Sequence, residues 1–396
     1  MDRGTWQATV GAGIRLGTLA RRLHDEGGRA ISHGTSPNIG IGGHATVVGR
    51  SLARPPLAPR PSPCRACDAH HRIRRRQGGL GPMSRMWGTT LDHVLSVEVV
   101  TSDGAVRTAN VTTNGDLFWA LRGAGGSFGI VTQLTLRTRP EPTQVVQYRY
   151  RFVDDTPDGM TGLLMAWQAL AADPRLDRRF HTRFVAHAHG VVILATFYGS
   201  MMEFAASGLV ARLPQGDMAD TQVVDWLDHL HDEAGRSSMY LGDLPSYFYS
   251  RSFAFHEKNL PRGYDMESMF YHAAGHKARA PWYIVFSSEG GAVADVADKA
   301  TAYPHRDKVV MYQAFVVGPS RLPAGSRRFV DGVHRCIKAT GVGTTYAGHV
   351  DLALDGRSGP KAYWGHKLAR LRQIKHLWDG RDIFRNPQSI EPEERR

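Results

Sequence analysis

The residues best suited to chemistry lie in one stretch, His33-Gly34-Thr35-Ser36-Pro37-Asn38-Ile39-Gly40-Ile41-Gly42-Gly43-His44. Gly40, Gly42 and Gly43 fall within four positions, behind a Ser-Pro and before a histidine. Without a Cβ the backbone can take positive φ and press against a flat ring or a phosphate. Its N–H groups can then cradle anionic oxygens. The same pattern also reads as a plain tight turn. A second glycine cluster follows at Gly123-Ala124-Gly125-Gly126-Ser127-Phe128-Gly129. Cys64-x-x-Cys67 with His70 and His71 offers zinc-ligand types. Structural zinc sites set their ligand pairs on separate elements, and nothing between these pairs can fold, so no metal is expected. Three cysteines give no disulfide framework.

The elements that must position these residues are bounded by length and composition. A chain of 396 residues exceeds what one core usually serves, so two domains are expected. Hydrophobic residues at 42% fit an ordinary globular protein. No apolar run is long enough to span a bilayer, and Met1-Asp2-Arg3-Gly4-Thr5-Trp6 has no apolar signal core, which leaves the compartment open. Of the net charge of +12, residues 50–76 supply +7, through eight arginines against the single acid Asp68. That segment has no aromatics on which bases could stack, so nucleic acid is not expected as a partner. Residues 47–77 show neither helical nor strand period and are rich in Pro and Arg. They read as a disordered loop or as a stretch foreign to the functional protein.

Around this interruption the chain alternates. Residues 5–13 read as a strand entering a glycine turn, 15–26 as a helix closed by Gly27-Gly28, and Ala30-Ile31 as a strand into the glycine loop. Strands are expected at 96–100, 106–111 and 130–137, with a helix at 116–122 capped by Asn114 or Asp116. Pro140 and Pro142 mark a linker. Beyond it, strands are expected at 145–152, 180–186, 191–198, 282–287 and 309–317, and helices at 161–172, 203–213, 223–233, 327–340 and 361–378. This suits an α+β domain in which helices cover one face of an antiparallel sheet.

Four stretches, in order, resemble the berberine-bridge-enzyme-like FAD-linked oxidases, a group that includes the fungal glucooligosaccharide oxidases. They are loop 33–44, Gly81-Pro-Met-Ser-Arg-Met-Trp-Gly, Asp116-Leu-Phe-Trp-Ala-Leu-Arg-Gly-Ala-Gly-Gly-Ser-Phe-Gly-Ile-Val and Phe384-Arg-Asn-Pro-Gln-Ser-Ile. The resemblance implies a split flavin-binding domain of the PCMH, or vanillyl-alcohol-oxidase, type. It would comprise residues 1–142 and a returning segment 356–396, with a substrate domain at 143–355 built on a large antiparallel sheet. Against the family pattern, four features differ. The first βα segment, with its flavin-linked histidine, is expected upstream of Met1. Ser36 stands where many members carry a flavin-linked cysteine. Residues 47–77 are extra and read as a translated intron. His349 stands where carbohydrate oxidases place a tyrosine base, and Lys367 replaces an asparagine beside the flavin.

The implied chemistry is alcohol oxidation by hydride transfer to FAD, with molecular oxygen as acceptor and a small molecule as substrate. The FAD is expected to be non-covalent and the protein a monomer. His349 would be the base, since histidine can take a proton near neutral pH, with Tyr363 beside it. Ser36, Ile39, Gly40, Gly42, Gly43, His44, Gly81 and Ser84 would lie along the flavin ring and pyrophosphate. Gly123, Gly126 and Val131 would back the adenine side, and Asn386 and Gln388 would close the ring's polar edge. Ile39 occupies the position that governs oxygen approach, which leaves oxidase against dehydrogenase behaviour open. His44 and His305 read equally as hydrogen-bonded structural histidines, and Tyr247 and Tyr249 either line the cleft or pack. The competing reading is a truncated, inactive relative or a misread gene that holds no flavin.

Overall fold

The computed structural model describes residues 1–46, 79–153, 156–236, 247–275, 280–318, 322–338 and 344–393. The Arg-rich stretch and the Cys-x-x-Cys, on which the disorder, intron and metal readings rest, lie outside them. Among the described residues no group of three or more potential metal ligands occurs, and no helix is long and apolar enough to cross a membrane.

The first half contains Gln7–Gly11 (β1), Arg29–Ala30 (β2), Val94–Val100 (β3), Val106–Asn110 (β4), Ile130–Arg137 (β5) and Arg139–Pro140 (β6). An antiparallel four-stranded sheet has the order β1-β5-β3-β4, and β2 pairs with β6. Helix Leu16–Asp25 buries Leu16, Leu19, Ala20 and Leu23, the 3–4 spacing that marks its core face. The rest of the chain contributes Val145–Phe152 (β7), Phe180–His187 (β8), Gly190–Tyr198 (β9), Met218–Val224 (β10), Tyr247–His256 (β11), Trp282–Ser288 (β12) and Lys308–Gly318 (β13). They form one antiparallel sheet of order β10-β7-β9-β8-β12-β13-β11. Helices Pro157–Ala171, Gly263–Ala274 and Ser326–Lys338 cover one face, where Trp167, Phe184, Phe270, Phe286, Tyr312 and Phe329 interlock.

Three expectations are corrected locally. The helix placed at 223–233 starts only at Trp226, because Val223 and Val224 pair with Val146 and Val145 and finish β10. The helix placed at 361–378 is two, Ser358–Trp364 and Leu368–Asp379, broken at Gly365, whose φ of 49° cannot continue a right-handed helix. The helix at 203–213 is likewise split at Gly208, with φ 67°. Strand β11 and helix Gly263–Ala274 are additions.

There are two main apolar cores. One fills the space between the large sheet and its helices. The other gathers Leu16, Ile39, Leu117, Phe128 and Leu134 from the first half with Tyr346, Trp364, Leu371 and Ile390 from residues 346–390. Buried ion pairs tie these parts together. Arg306 grips Asp92 through two bonds of 2.7 Å. Lys375, fully buried, binds Asp379 at 2.6 Å, Asp382 at 2.9 Å and the carbonyls of Ser127 and Phe384. Removing one partner strands a buried charge, which costs about 3–5 kcal/mol. Lys375→Met is therefore expected to lower the unfolding free energy by about that amount in urea titration, and Lys375→Met/Asp379→Leu to recover part of it. At the opposite extreme, Gly162 is exposed inside helix Pro157–Ala171, and a Cβ there would meet nothing within 4 Å. Gly162→Ala should stabilise by about 0.5–1 kcal/mol in the same titration.

Candidate active site

The turn 36–42 is zipped onto the chain around residues 12–17. Gly17 N donates to Pro37 O at 3.0 Å, Leu16 N to Ile39 O at 2.9 Å, Ile41 N to Ile14 O at 2.9 Å and Gly42 N to Ala12 O at 3.0 Å. Ile39 turns its side chain into the core that also holds Leu16 and Leu117. His44 is buried, and its Nε2 accepts from Gly34 N at 3.0 Å, closing the loop on itself. Ser84 Oγ accepts from Gly81 N at 2.9 Å and lies 3.3 Å from Ser32 Oγ. Gly81 is pressed against this loop: a Cβ on it would sit 1.8 Å from His33 O.

Where this loop meets the large sheet there is a cleft of about 590 Å³, open to solvent. Its near wall is Thr35, Leu80, Gly81 and Pro82; its far wall is the sheet face turned away from the helices. Strand residues alternate faces, so His181 and Arg183 of β8, Val285 and Ser287 of β12, and Met311 and Gln313 of β13 all reach it. Register puts Arg183 opposite Ser287, and Val285 opposite Gln313. Glu289, just past β12, and the Tyr346–His349 turn complete the wall. Arg85 fastens the two walls, donating to Phe180 O at 2.9 Å, to Leu176 O at 3.0 Å and to Glu289 O.

His349 therefore faces the cleft, on a turn in which its N–H donates to Tyr346 O at 2.9 Å. The turn is fixed from behind. Asp351 accepts from Arg251 Nε at 2.8 Å. Tyr363 Oη accepts from Asp351 N at 2.9 Å and donates to Gln388 Oε1 at 3.0 Å. Gln388 Nε2 donates to Asp351 O and Leu354 O at 2.8 and 2.6 Å. Asn386 Oδ1 in turn accepts from Gln388 N at 3.0 Å. Tyr363, Asn386 and Gln388 thus lie behind the wall, in the bracket that carries His349. Lys367 is buried too, with its ammonium on Thr301 O, Tyr303 O, Asp298 O and the Asp298 carboxylate.

Other residues singled out from the sequence lie apart from the cleft wall. Gly123, at φ 139°, abuts Tyr303 N, and its carbonyl accepts from Trp364 Nε1 at 3.0 Å. Gly126 is in a short 3₁₀ turn, and Val131 pairs with Val99 in β5. His305 Nδ1 pairs with Thr344 Oγ1 at 2.8 Å, and burial lowers its pKa to about 3, so the ring is neutral. Tyr249 is in the core between the large sheet and its helices, with its hydroxyl on Asp331 at 2.8 Å. Tyr247 is half-buried at the start of β11. Ser36, Gly40 and Gly43 are partly or fully accessible. The residues that sequence reading missed are His181, Arg183, Glu289 and Gln313. His181 and Arg183 carried a signal: polar side chains two apart, on the same face of one strand.

The loop side also suits a flat cofactor. A Cβ at Gly11 or Gly13 would meet nothing within 4 Å, and one at Gly40 only Ala12 O at 3.9 Å. Bare backbone therefore borders open space beside the 40–43 turn. His33 Nδ1 donates to Gly34 O at 2.8 Å, and its buried Nε2 makes no hydrogen bond to a described residue.

Comparison with known proteins places this geometry. The family pattern described as "Berberine and berberine like" matches residues 346–391. The FAD-linked oxidoreductase sorD of Penicillium rubens is 32% identical over 398 aligned residues, covering 99% of this chain and 78% of that protein. The xylooligosaccharide oxidase of Thermothelomyces thermophilus is 29% identical, covering 100% and 76%. A solved xylooligosaccharide oxidase from Myceliophthora thermophila, in complex with xylobiose, superposes with a TM-score of 0.84 at 27% identity over 100% of this chain and 80% of that one.

Proposed function

The chain belongs to the berberine-bridge-enzyme-like FAD-linked oxidoreductases, and on that premise we propose that it oxidises a hydroxyl of a small saccharide bound in the cleft between loop 33–44 and the large sheet. Its chemistry is the FAD-dependent oxidation of an alcohol. The observation that carries the saccharide reading is the cleft wall itself: His181, Arg183, Ser287, Gln313 and His349 present donors and acceptors to one cleft. Such a wall matches a polyhydroxylated ligand better than an apolar one.

FAD, when bound, supplies the hydride acceptor. Gly40, Gly42 and Gly43, with the bare turn at Gly11 and Gly13, would lie along it. Ser36 offers a hydroxyl where a thiolate would be needed for a thioether, so no covalent link forms there. On the protein's side, Gln313 and Arg183 orient the substrate. His349 accepts the hydroxyl proton on its imidazole, and Tyr363 and Gln388 keep the His349 turn in place. Dividing the chain into residues 1–142 with 356–396 against 143–355 belongs to the same reading and is supported by the separate cores, although Tyr346 already packs with Leu16, Ile39 and Leu117. Oxygen as final acceptor and a monomeric state complete it.

The test is direct. The full chain is incubated with FAD and desalted, and its visible spectrum is recorded before and after anaerobic addition of xylobiose. Bound flavin that bleaches with the sugar, and peroxide released when air is admitted, is the expected result. No flavin absorbance after desalting would sink the reading. Acid precipitation should leave the yellow colour in the supernatant; colour in the pellet would contradict non-covalent binding.

A further inference from the structure

Glu289 has no part in the chemistry described so far, yet its side chain lines the cleft that holds His349. Its main chain is fixed at both ends of the peptide unit: Glu289 N donates to Val309 O at 2.8 Å, and Glu289 O accepts from Arg85. The residue therefore cannot drift from the wall. Its carboxyl, by contrast, makes no hydrogen bond or ion pair to any described residue. Facing a cleft open to solvent, the carboxyl is left to hydrogen-bond with whatever occupies that cleft.

We propose that Glu289 binds the saccharide as a neutral carboxylic acid, donating its proton in a hydrogen bond to one substrate oxygen and accepting from a neighbouring hydroxyl. This deepens the oxidase reading and rests on it. A neutral carboxyl is suited to a sugar because it offers one donor and acceptor positions together, whereas a carboxylate only accepts. The groups that face it decide which form is present. From helix Ser84–Trp87 comes Arg85, whose guanidinium is engaged by three carbonyls. From β8 come His181 and Arg183, from the 344–351 segment Tyr346 and His349, and from the approach to β13 Tyr303. Burial outweighs the attraction of Arg85 and raises the Glu289 pKa to about 8. His181 is held neutral by burial, and burial likewise keeps Tyr303 and Tyr346 protonated. Substrate binding should therefore weaken as pH passes 8.

The linkage sign also follows. A carboxyl whose folded pKa is raised stabilises the fold below its unfolded pKa, near 4.5 for glutamate, and loses that contribution as pH rises through about 8. Glu289→Gln keeps the neutral shape and cannot ionise. The stability of Glu289→Gln relative to wild type should therefore increase from pH 5 to about pH 8 and level off above it, in urea titrations that need no flavin. In FAD-loaded protein, the wild-type KM for xylobiose, and its Kd by calorimetry, should rise about tenfold between pH 7 and pH 9. Both should stay flat in Glu289→Gln, with kcat little changed. Glu289→Ala should carry the raised KM at every pH.

A stability difference that does not change with pH, or an alkaline rise in Kd shared by wild type and Glu289→Gln, overturns the proposal. So does a wild type that takes up FAD but binds no xylobiose. Failure to take up FAD at all counts instead against the oxidase reading, and the titration of Glu289 is then judged from the stability difference alone.

Discussion

Replacing His349 by alanine lowers the rate of sugar-driven flavin reduction by a factor of about 10²–10⁴, the span general base catalysis contributes. The expectation rests on position. His349 sits on the cleft wall, in a turn closed by its own N–H on Tyr346 O. Two residues on, Asp351 is clamped by Arg251, Tyr363 and Gln388. An imidazole on so braced a turn meets the substrate hydroxyl with little reorganisation. Flavin uptake should be unaffected, because the near wall of the cleft comes from other elements. Stopped-flow reduction of the loaded variant under anaerobic conditions is the measurement. A loss below about tenfold would mean that another group takes the proton. Tyr363→Phe separates positioning from chemistry: it removes the hydroxyl bonds to Asp351 and Gln388 without touching the cleft, so a smaller fall in rate is expected, accompanied by lower stability.

Gly81→Ala disables the protein by a different route. The added Cβ would lie 1.8 Å from His33 O, 2.5 Å from His33 C and 3.0 Å from Gly34 N, all backbone atoms that cannot swing aside. Either the 33–34 segment or the Leu80–Pro82 wall must move. Overpacking of this kind costs about 1–3 kcal/mol, and more where backbone is displaced. The same shift pulls Gly81 N from Ser84 Oγ and distorts the loop expected to hold FAD. The measurements are the urea midpoint and FAD affinity by fluorescence quenching, with both expected to fall and affinity by tenfold or more. Gly104→Ala is the control. Its φ of 80° is also left-handed, but nothing lies within 4 Å of the new methyl, so it should cost only about 1–2 kcal/mol of backbone strain and leave FAD affinity unchanged. Equal effects from the two would remove the packing argument.

Much of this protein is written in local pattern. Alternation marks β5, and runs rich in β-branched and aromatic residues mark β9, β12 and β13, because a strand buried on both faces reads as a nearly continuous apolar run. The 3–4 spacing in Leu16–Asp25 marks its helix. The glycine turn at 40–43 is legible from its composition, with Gly42 the position where a Cβ would collide with Ala12, and His349 is legible from a motif close to it in sequence. Register and long-range closure were beyond local pattern. That His181, Arg183, Ser287, Gln313 and Glu289 share one wall depends on how β8, β12 and β13 pair, and residues more than a hundred positions apart meet only through that pairing. Likewise nothing local could tell that Tyr363 and Gln388 brace the His349 turn from behind rather than line the cleft, or that Lys367 and Lys375 would end buried among carbonyls and carboxylates. Residue type and spacing decide which side chains can do chemistry; only packing decides which of them are left facing empty space to do it.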